Sequence, residues 1–150
     1  MDITIEQIKQ LREMTGVSVM RCNKALQEAG GDVMKAETIL KKHSSASVRD
    51  KADRTLAAGA VGSYVHDGII GALVLLSCES DFVAKNPEFA SIARDLAMHV
   101  SAMAPESVDA LLEQAFIKDG SKTVRDLLNE ATQKFGERIE LSTYSRLSAR

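Results

Sequence analysis

Apolar residues in the first 45 positions recur at intervals of three and four, which is the spacing of amphipathic helices. Thr4 begins a capping box, and Gly16 ends the helix that follows it. Caps at Ser18 and Asp32 start two further helices. The predicted inward positions of the three helices are Ile5, Ile8, Leu11, Val19, Cys22, Leu26, Ala29, Val33, Ala36, Ile39 and Leu40. The pattern predicts a three-helix module over residues 1–45.

From His43 to Ala57 the sequence is rich in Ser and then in charged residues of alternating sign, with no apolar face of any width. We therefore predict a linker over residues 46–58 that leads into a short solvated helix. The mixed charge makes this segment a poor candidate for nucleic-acid binding.

Strand patterns begin after this linker. Asp67 and Gly68 lie between two apolar runs and predict a two-residue hairpin turn. Gly62 and Gly71 within these runs indicate close backbone approach or a bulge. Alternation over residues 138–147 predicts a third strand.

Helices are predicted between the hairpin and the third strand. Asn86 and Pro87 start the first of them, with an apolar stripe that comprises Phe89, Ile92, Ala93, Leu96, Val100 and Met103. A second helix begins at Pro105, and Asp119-Gly120 separates it from the last. A hairpin, a returning strand and helices on one face make an α+β core over residues 59–150. The edge of its antiparallel three-stranded sheet could be covered by a second copy of the chain.

One aromatic residue lies where a solvent-exposed loop is predicted. Phe82 follows Asp81 in the segment SCESDFVAKNPEF, between the second strand and the helix that starts at Asn86. A Phe in a loop usually folds back over the core, and that structural interpretation competes with a partner contact. His99 lies at the edge of the helix stripe, where a lone His is usually a structural residue.

Composition and charge narrow the function. Hydrophobic residues make up 45% of the chain and charged residues 27%, as in ordinary globular proteins. A net charge of −2 argues against a broad phosphate-binding surface. The N-terminus lacks the pattern of a signal peptide, and no apolar stretch is long enough to span a membrane. Two lone cysteines, Cys22 and Cys78, favour a reducing compartment, so we expect a cytoplasmic protein.

No catalytic motif is evident in the chain. The phosphate-binding loop, the serine-hydrolase elbow, the zinc-protease helix and paired Cys and His at zinc spacing are all absent from the sequence. We therefore predict neither an enzyme nor a cofactor or metal site.

Four motifs, in the same order along the chain, resemble those of the elongation factor Ts family. Ser80–Asn86 reads SDFVAKN and is similar to the family's TDFVAKN, with Ser in place of Thr. The other three are Leu11–Gly16 with Met20, Cys22 and Lys24–Leu26; Ala97–Val100; and Ser121–Val124 with Gly136 and Glu137. Together they extend over nearly the whole chain, so it is identified as a member with a single core.

The resemblance implies a guanine-nucleotide exchange factor for elongation factor Tu, with no direct nucleic-acid or membrane contact. Its N-terminal module would be similar to a ubiquitin-associated domain. Phe82 would act as a wedge near the partner's Mg²⁺ and phosphates, with Asp81 beside it and Ser80 and Val83 as flanking contacts.

A second contact is implied for the N-terminal module, through Arg12, Val19 and Met20. Val19 replaces a Met that is often found there, and Arg21 and Asn23 stand where an Asp and a Lys are common. The resemblance also implies that His99 contacts a subunit or partner, and that the chain forms a homodimer. The competing hypothesis is an interaction adaptor whose helical module binds a peptide and whose core only dimerises.

Overall fold

The computed structural model describes residues 2–150 and divides them into two compact units. The first unit contains the residues up to Ala52 together with Asn129–Gly136. The second contains Asp53–Leu128 and Glu137–Arg150. The N-terminal residues thus form a unit with a segment that is distant in sequence, which the predicted boundaries did not include.

Three helices form most of the first unit, as predicted: α1 (Ile5–Thr15), α2 (Val19–Glu28) and α3 (Val33–Lys51). The capping box at Thr4 is present, and Gly16 ends α1 in the left-handed conformation, with φ of 69°. Ser18 and Asp32 cap the next two helices. Each boundary therefore follows from a local backbone requirement.

The core of the first unit is small and apolar. Its buried members are Leu11, Val17, Cys22, Ala25, Leu26, Ala36 and Leu40. Two residues predicted to face inward are instead exposed: 85% of Ile5 and 50% of Val19 is accessible to solvent. Both are the first residue of their helix, so the periodic pattern overestimated how far the buried stripe extends.

The Ser-rich segment is helical over more of its length than predicted. α3 continues without a break to Lys51, so only the residues after it connect to the sheet. Ser44 is buried and its hydroxyl donates a hydrogen bond to the side chain of Gln133. A Ser hydroxyl that has a hydrogen-bond partner can be buried in a helical segment. For this reason the Ser-rich composition did not correctly predict a linker here.

The second unit contains the sheet. Its elements in chain order are β1 (Ala58–His66), β2 (Ile70–Cys78), α4 (Asp81–Ala84), α5 (Pro87–Met103), α6 (Val108–Glu113), β3 (Ala115–Phe116), β4 (Asp119–Thr123), the first turn of α7 (Val124–Phe135) and β5 (Glu140–Ser148). The main sheet is antiparallel with the order β1-β2-β5. The predicted α+β class and three-stranded sheet are confirmed.

α5 packs directly on one face of this sheet. A Cβ atom at Gly62 would lie 2.2 Å from the carbonyl carbon and oxygen of Ala93, so only glycine permits this approach. The predicted close approach at Gly62 is confirmed. The side chains of three α5 residues are fully buried: Phe89, Leu96 and Val100.

Three local predictions differ from the structure. The break at Asp119-Gly120 is a small β3–β4 hairpin and not a turn between helices. α6 begins at Val108 and not at Pro105, because the Ser107 hydroxyl accepts the Ala110 amide and sets the cap. Met103 is 46% exposed, since it is the last residue of α5. Within residues 2–150, the helices are all too short or too polar to cross a bilayer.

Candidate functional site

Phe82 is held in solvent. It lies on α4, a single helical turn where a loop was expected, and 85% of the side chain is accessible. The next residue, Val83, is 4% exposed and belongs to the core. The interpretation of Phe82 as a cap over the core is therefore wrong.

Ser80 builds the turn that presents this ring. Its hydroxyl accepts the amide of Val83 at 3.3 Å and donates to Oε2 of Glu137 at 2.6 Å. As the N-cap, Ser80 satisfies a backbone donor at the first turn of α4. Phe82 follows two residues later, between the exposed Asp81 and the buried Val83. Of the predicted site residues, Ser80 supports the helical turn and Val83 anchors it in the core, whereas the side chains of Asp81 and Phe82 are exposed to solvent.

Carboxylates brace the chain just before this turn. Oε1 of Glu137 accepts the amides of Glu79 and Ser80 at 3.1 and 3.0 Å. The carboxylate of Glu79 accepts the amide of Arg138 and lies 3.5 Å from the guanidinium of Arg54. Sequence reasoning did not identify Glu137 as part of the site. The only sign of its importance in the sequence was its place in the fourth family motif, Ser121–Val124 with Gly136 and Glu137. A linear sequence does not show that its side chain contacts a segment 57 positions earlier.

Cys78, a buried residue, adds a partly buried hydrogen bond at the start of the same segment. Its Sγ donates to the carbonyl of Ser80 at 3.3 Å. Burial, followed by the nearby carboxylate of Glu137, raises the pKa of the Cys78 thiol. The thiol therefore keeps its proton and remains a donor at neutral pH.

The Asp81 carboxylate is exposed and accepts no hydrogen bond or ion pair from residues 2–150. It is therefore available to an external donor. The described residues contain no group of three or more His, Cys, Asp or Glu that could hold a metal ion.

The first unit presents a second exposed apolar surface. Arg12 is in the last turn of α1, and Val19 and Met20 open α2 on the other side of the Gly16 turn. Met20 is 79% exposed. The structure thus brings the three predicted residues to one end of the helical module, in a different unit from Phe82.

Positive charge lies beside this surface. Arg12 and Arg21 line the same open cavity of about 380 Å³, together with Lys134 and the turn at Gly16. The guanidinium of Arg21 donates to the backbone carbonyl of Gln133 at 3.3 Å. The cavity therefore suits an acidic group of a binding partner.

His99 is not available to a partner. Its side chain is fully buried, so the expectation of a subunit or partner contact is corrected. Nδ1 accepts the amide of Ile117 at 3.1 Å, and Nε2 pairs with Oε1 of Gln114 at 2.9 Å. The ring also stacks on Phe116 at a centroid distance of 6.0 Å. These contacts make it a structural residue of the second unit, because every polar atom of the ring has an internal partner.

The sheet face opposite α5 is apolar and exposed. Side chains alternate along a strand, so the residues beside Gly62 point away from the helix. The exposed apolar residues of the strands are Val61, Val65, Leu73 and Leu147, between 52% and 78% accessible. Gly71 pairs with both Val65 and Leu147. An open cavity of about 490 Å³ on this face is lined in part by Val65, Gly71, Leu73 and Leu147.

These features describe an α+β protein whose exposed apolar groups suit contact with another protein. The family model described as Elongation factor TS matches residues 37–110. The elongation factor Ts of Thermotoga petrophila is 38% identical, covering 97% of this chain and 96% of that protein. Those of Thermotoga maritima and Geobacter metallireducens are 37% and 36% identical, each covering 97% of this chain and 96% and 89% of the relative.

The chain belongs to the elongation factor Ts family, a family of factors for the elongation stage of protein biosynthesis. This confirms the resemblance drawn from the four motifs. The alignment with the Thermotoga petrophila protein runs over 190 positions and this chain has 150 residues. That relative therefore carries residues that have no counterpart here.

Proposed function

We propose that this protein is a guanine-nucleotide exchange factor for elongation factor Tu and promotes GDP release during translation elongation in the cytoplasm. The observation that carries the proposal is the exposed ring of Phe82 on a braced helical turn, 85% accessible to solvent. Single exposed apolar residues are common on protein surfaces, but this ring lies on a turn whose N-cap and preceding backbone are held by hydrogen bonds to Glu137. The exposed ring together with the fixed backbone supports a contact with another protein.

The mechanism follows from how a G protein holds its nucleotide. A phosphate loop and Mg²⁺ grip the phosphates. A factor accelerates release by binding best to the state in which that grip is broken, and linkage then requires nucleotide to weaken the factor's binding equally. Phe82 inserts between elements of the partner's G domain near the Mg²⁺ site. The unpaired carboxylate of Asp81 holds a neighbouring helix or competes near the ion.

Bracing makes the insertion efficient. The backbone of Glu79 and Ser80 is fixed by Glu137 before any partner arrives. Little conformational entropy is therefore lost when Phe82 is buried in the complex, and more of the burial energy is available for displacing the nucleotide.

The wedge is not sufficient alone. A population shift of about 10⁴-fold needs about 5.5 kcal/mol of differential binding, whereas one buried aromatic side chain supplies about 2–3 kcal/mol. The remainder comes from a second contact, and the exposed Met20 and Val19 beside Arg12 are suited to provide it. The helical module is thus the clamp that gives affinity.

We also propose that two copies of the chain associate through the exposed sheet face of Val61, Val65, Leu73 and Leu147. From the sequence we expected a second copy of the chain to cover the edge of the sheet. The exposed apolar residues of the broad face instead favour association through that face. Leu147→Asp should convert a dimer to a monomer in sedimentation at micromolar concentration. A wild-type chain that sediments as a monomer would contradict the proposal.

The alternative function is an interaction adaptor without exchange activity. The exposed Met20 in the helical module is compatible with it, because a peptide-binding module also needs an accessible apolar residue. The two functions differ in the need for Phe82, which an adaptor leaves unused.

Release of fluorescent GDP from elongation factor Tu tests the proposal. The intact chain at substoichiometric concentration should accelerate release with turnover, because exchange regenerates the free factor. Uncatalysed release in the presence of the intact chain would refute the exchange function and favour the adaptor.

A further inference from the structure

We propose that Glu137 is a positioning residue for exchange: its carboxylate fixes the backbone at Ser80 and thereby holds Phe82 in its working geometry. This inference rests on the proposed exchange function. Glu137 does not contact Phe82 and acts through Ser80.

Glu137 uses both carboxylate oxygens on one short stretch of chain. Oε1 accepts the amides of Glu79 and Ser80, at 3.1 and 3.0 Å. Oε2 accepts the hydroxyl of Ser80 at 2.6 Å. Hydrogen bonds to an ionised acceptor are about twice as strong as neutral ones. Three such bonds converge on two consecutive residues, so their orientation is fixed from outside the turn.

The bond to the Ser80 hydroxyl transmits this constraint to α4. Because that hydroxyl donates its proton to Glu137, its lone pairs point to the amide of Val83, which it accepts at 3.3 Å. α4 has only four residues. A helix of that length does not persist in water without tertiary support. Glu137 supplies that support on the polar side, and the buried Val83 supplies it on the apolar side.

The residues after Glu137 are held within the second unit. The amide of the next residue, Arg138, donates to the carboxylate of Glu79. Ile139 is 8% exposed and anchors the chain where it enters β5. The carboxylate of Glu137 therefore presents both oxygens to Ser80 from a backbone that other residues of the same unit hold.

The chemistry of the bonds predicts a graded series of variants. Glu137→Gln retains one oxygen for the two backbone amides, and its amide group can donate to the Ser80 hydroxyl. Glu137→Ala removes both acceptor oxygens and with them all three hydrogen bonds. Glu140→Ala is the matched control, because among residues 2–150 that nearby exposed carboxylate contacts only Arg138, at 2.8 Å.

The first test is a kinetic cycle with Phe82→Ala. We expect Glu137→Ala to lower the maximal rate of GDP release from elongation factor Tu by about tenfold or more, Glu137→Gln to lower it less, and Glu140→Ala to leave it unchanged. In the Phe82→Ala background, Glu137→Ala should produce no further loss. If Glu137 only stabilised the fold, Glu137→Ala would lower the rate of GDP release by the same factor with Phe82 present and with Phe82→Ala. That result would overturn the proposal.

Amide hydrogen exchange in the free chain provides the second readout. In Glu137→Ala, the amides of Ser80 and Val83 should exchange about tenfold faster, whereas that of Val74 in β2 should not change. Unchanged protection at Ser80 and Val83 would overturn the bracing itself. An intact chain that does not accelerate GDP release would refute the proposed function, whereas an active chain with an equally active Glu137→Ala variant would overturn only this inference.

Discussion

Gly62 gives the sharpest prediction for the fold that positions the wedge. Replacement by Ala would place a Cβ atom 2.2 Å from the carbonyl group of Ala93 and 2.7 Å from the amide nitrogen of Arg94. Both neighbours are backbone atoms of α5, so no side-chain rotation relieves the overlap. Helix α5 must move away from β1.

The size of the movement sets the cost. Ordinary van der Waals contact begins near 3.4 Å, so the helix axis must shift by about 1 Å. A gap of 0.5–1 Å forfeits about a quarter to a half of each dispersion contact, and the fully buried Phe89, Leu96 and Val100 all lie on the face that moves. We expect a loss of about 3 kcal/mol in the free energy of unfolding, at the upper end for overpacked cores.

Urea unfolding followed by circular dichroism measures this loss. Gly120→Ala is the matched control, because a Cβ atom there meets nothing within 4 Å and should change stability by less than about 0.5 kcal/mol. Because α5 follows the turn that carries Phe82, Gly62→Ala should also reduce exchange activity. Equal midpoints for the two variants would show that α5 does not rest on Gly62.

Three further predictions address the other surfaces. Met20→Ala should raise the concentration of factor needed for half-maximal exchange by about tenfold without lowering the maximal rate. The control is Met34→Ala, which changes an equally apolar exposed residue of the same unit and should have no effect. A lower maximal rate in Met20→Ala would contradict the clamp role. His99→Ala should reduce the free energy of unfolding by about 2–4 kcal/mol in urea titrations, because the Ile117 amide and the Gln114 side chain lose their partner, and an unchanged midpoint would contradict the structural assignment. Burial raises the pKa of both Cys22 and Cys78 above 9.0. The contribution of the two thiols to stability is therefore complete below the unfolded pKa and is lost as the pH rises through the folded pKa values. The urea midpoint should fall less between pH 8 and 10 in a Cys22→Ala and Cys78→Ala double variant than in the wild type, and equal falls would show that the thiols do not cause the loss.

The sequence predicted the elements that local chemistry controls. Thr4, Ser18 and Asn86 cap helices where the pattern placed them. Asp67 and Gly68 have the positive φ of the predicted turn, although residues 67–69 and not two residues join the strands, because His66 pairs with Ile70. Each depends on a hydrogen bond or backbone angle within a few residues. Gly62 was also identified, because a glycine within an apolar strand commonly marks a place where another backbone approaches closely.

Predictions that depended on distant residues were less successful. His99 was expected at an interface, but Gln114 and Ile117 form a closed polar site around it. The helical state of the Ser-rich segment depends on Gln133, 89 residues beyond Ser44. Glu137 was part of a recognised motif, yet its role appears only when β5 brings it to Ser80. The motif located the candidate site, whereas tertiary contacts determine how it is held.

The rate of GDP release from elongation factor Tu at saturating factor, compared between the wild type and Phe82→Ala, tests the central claim most directly. Loss of a buried aromatic contact worth about 2–3 kcal/mol should slow maximal release by about 30- to 150-fold. Ile117→Ala, a control at an exposed apolar residue of the same unit, should retain the full rate. A Phe82→Ala variant that releases GDP as fast as the wild type would contradict the assignment of the wedge.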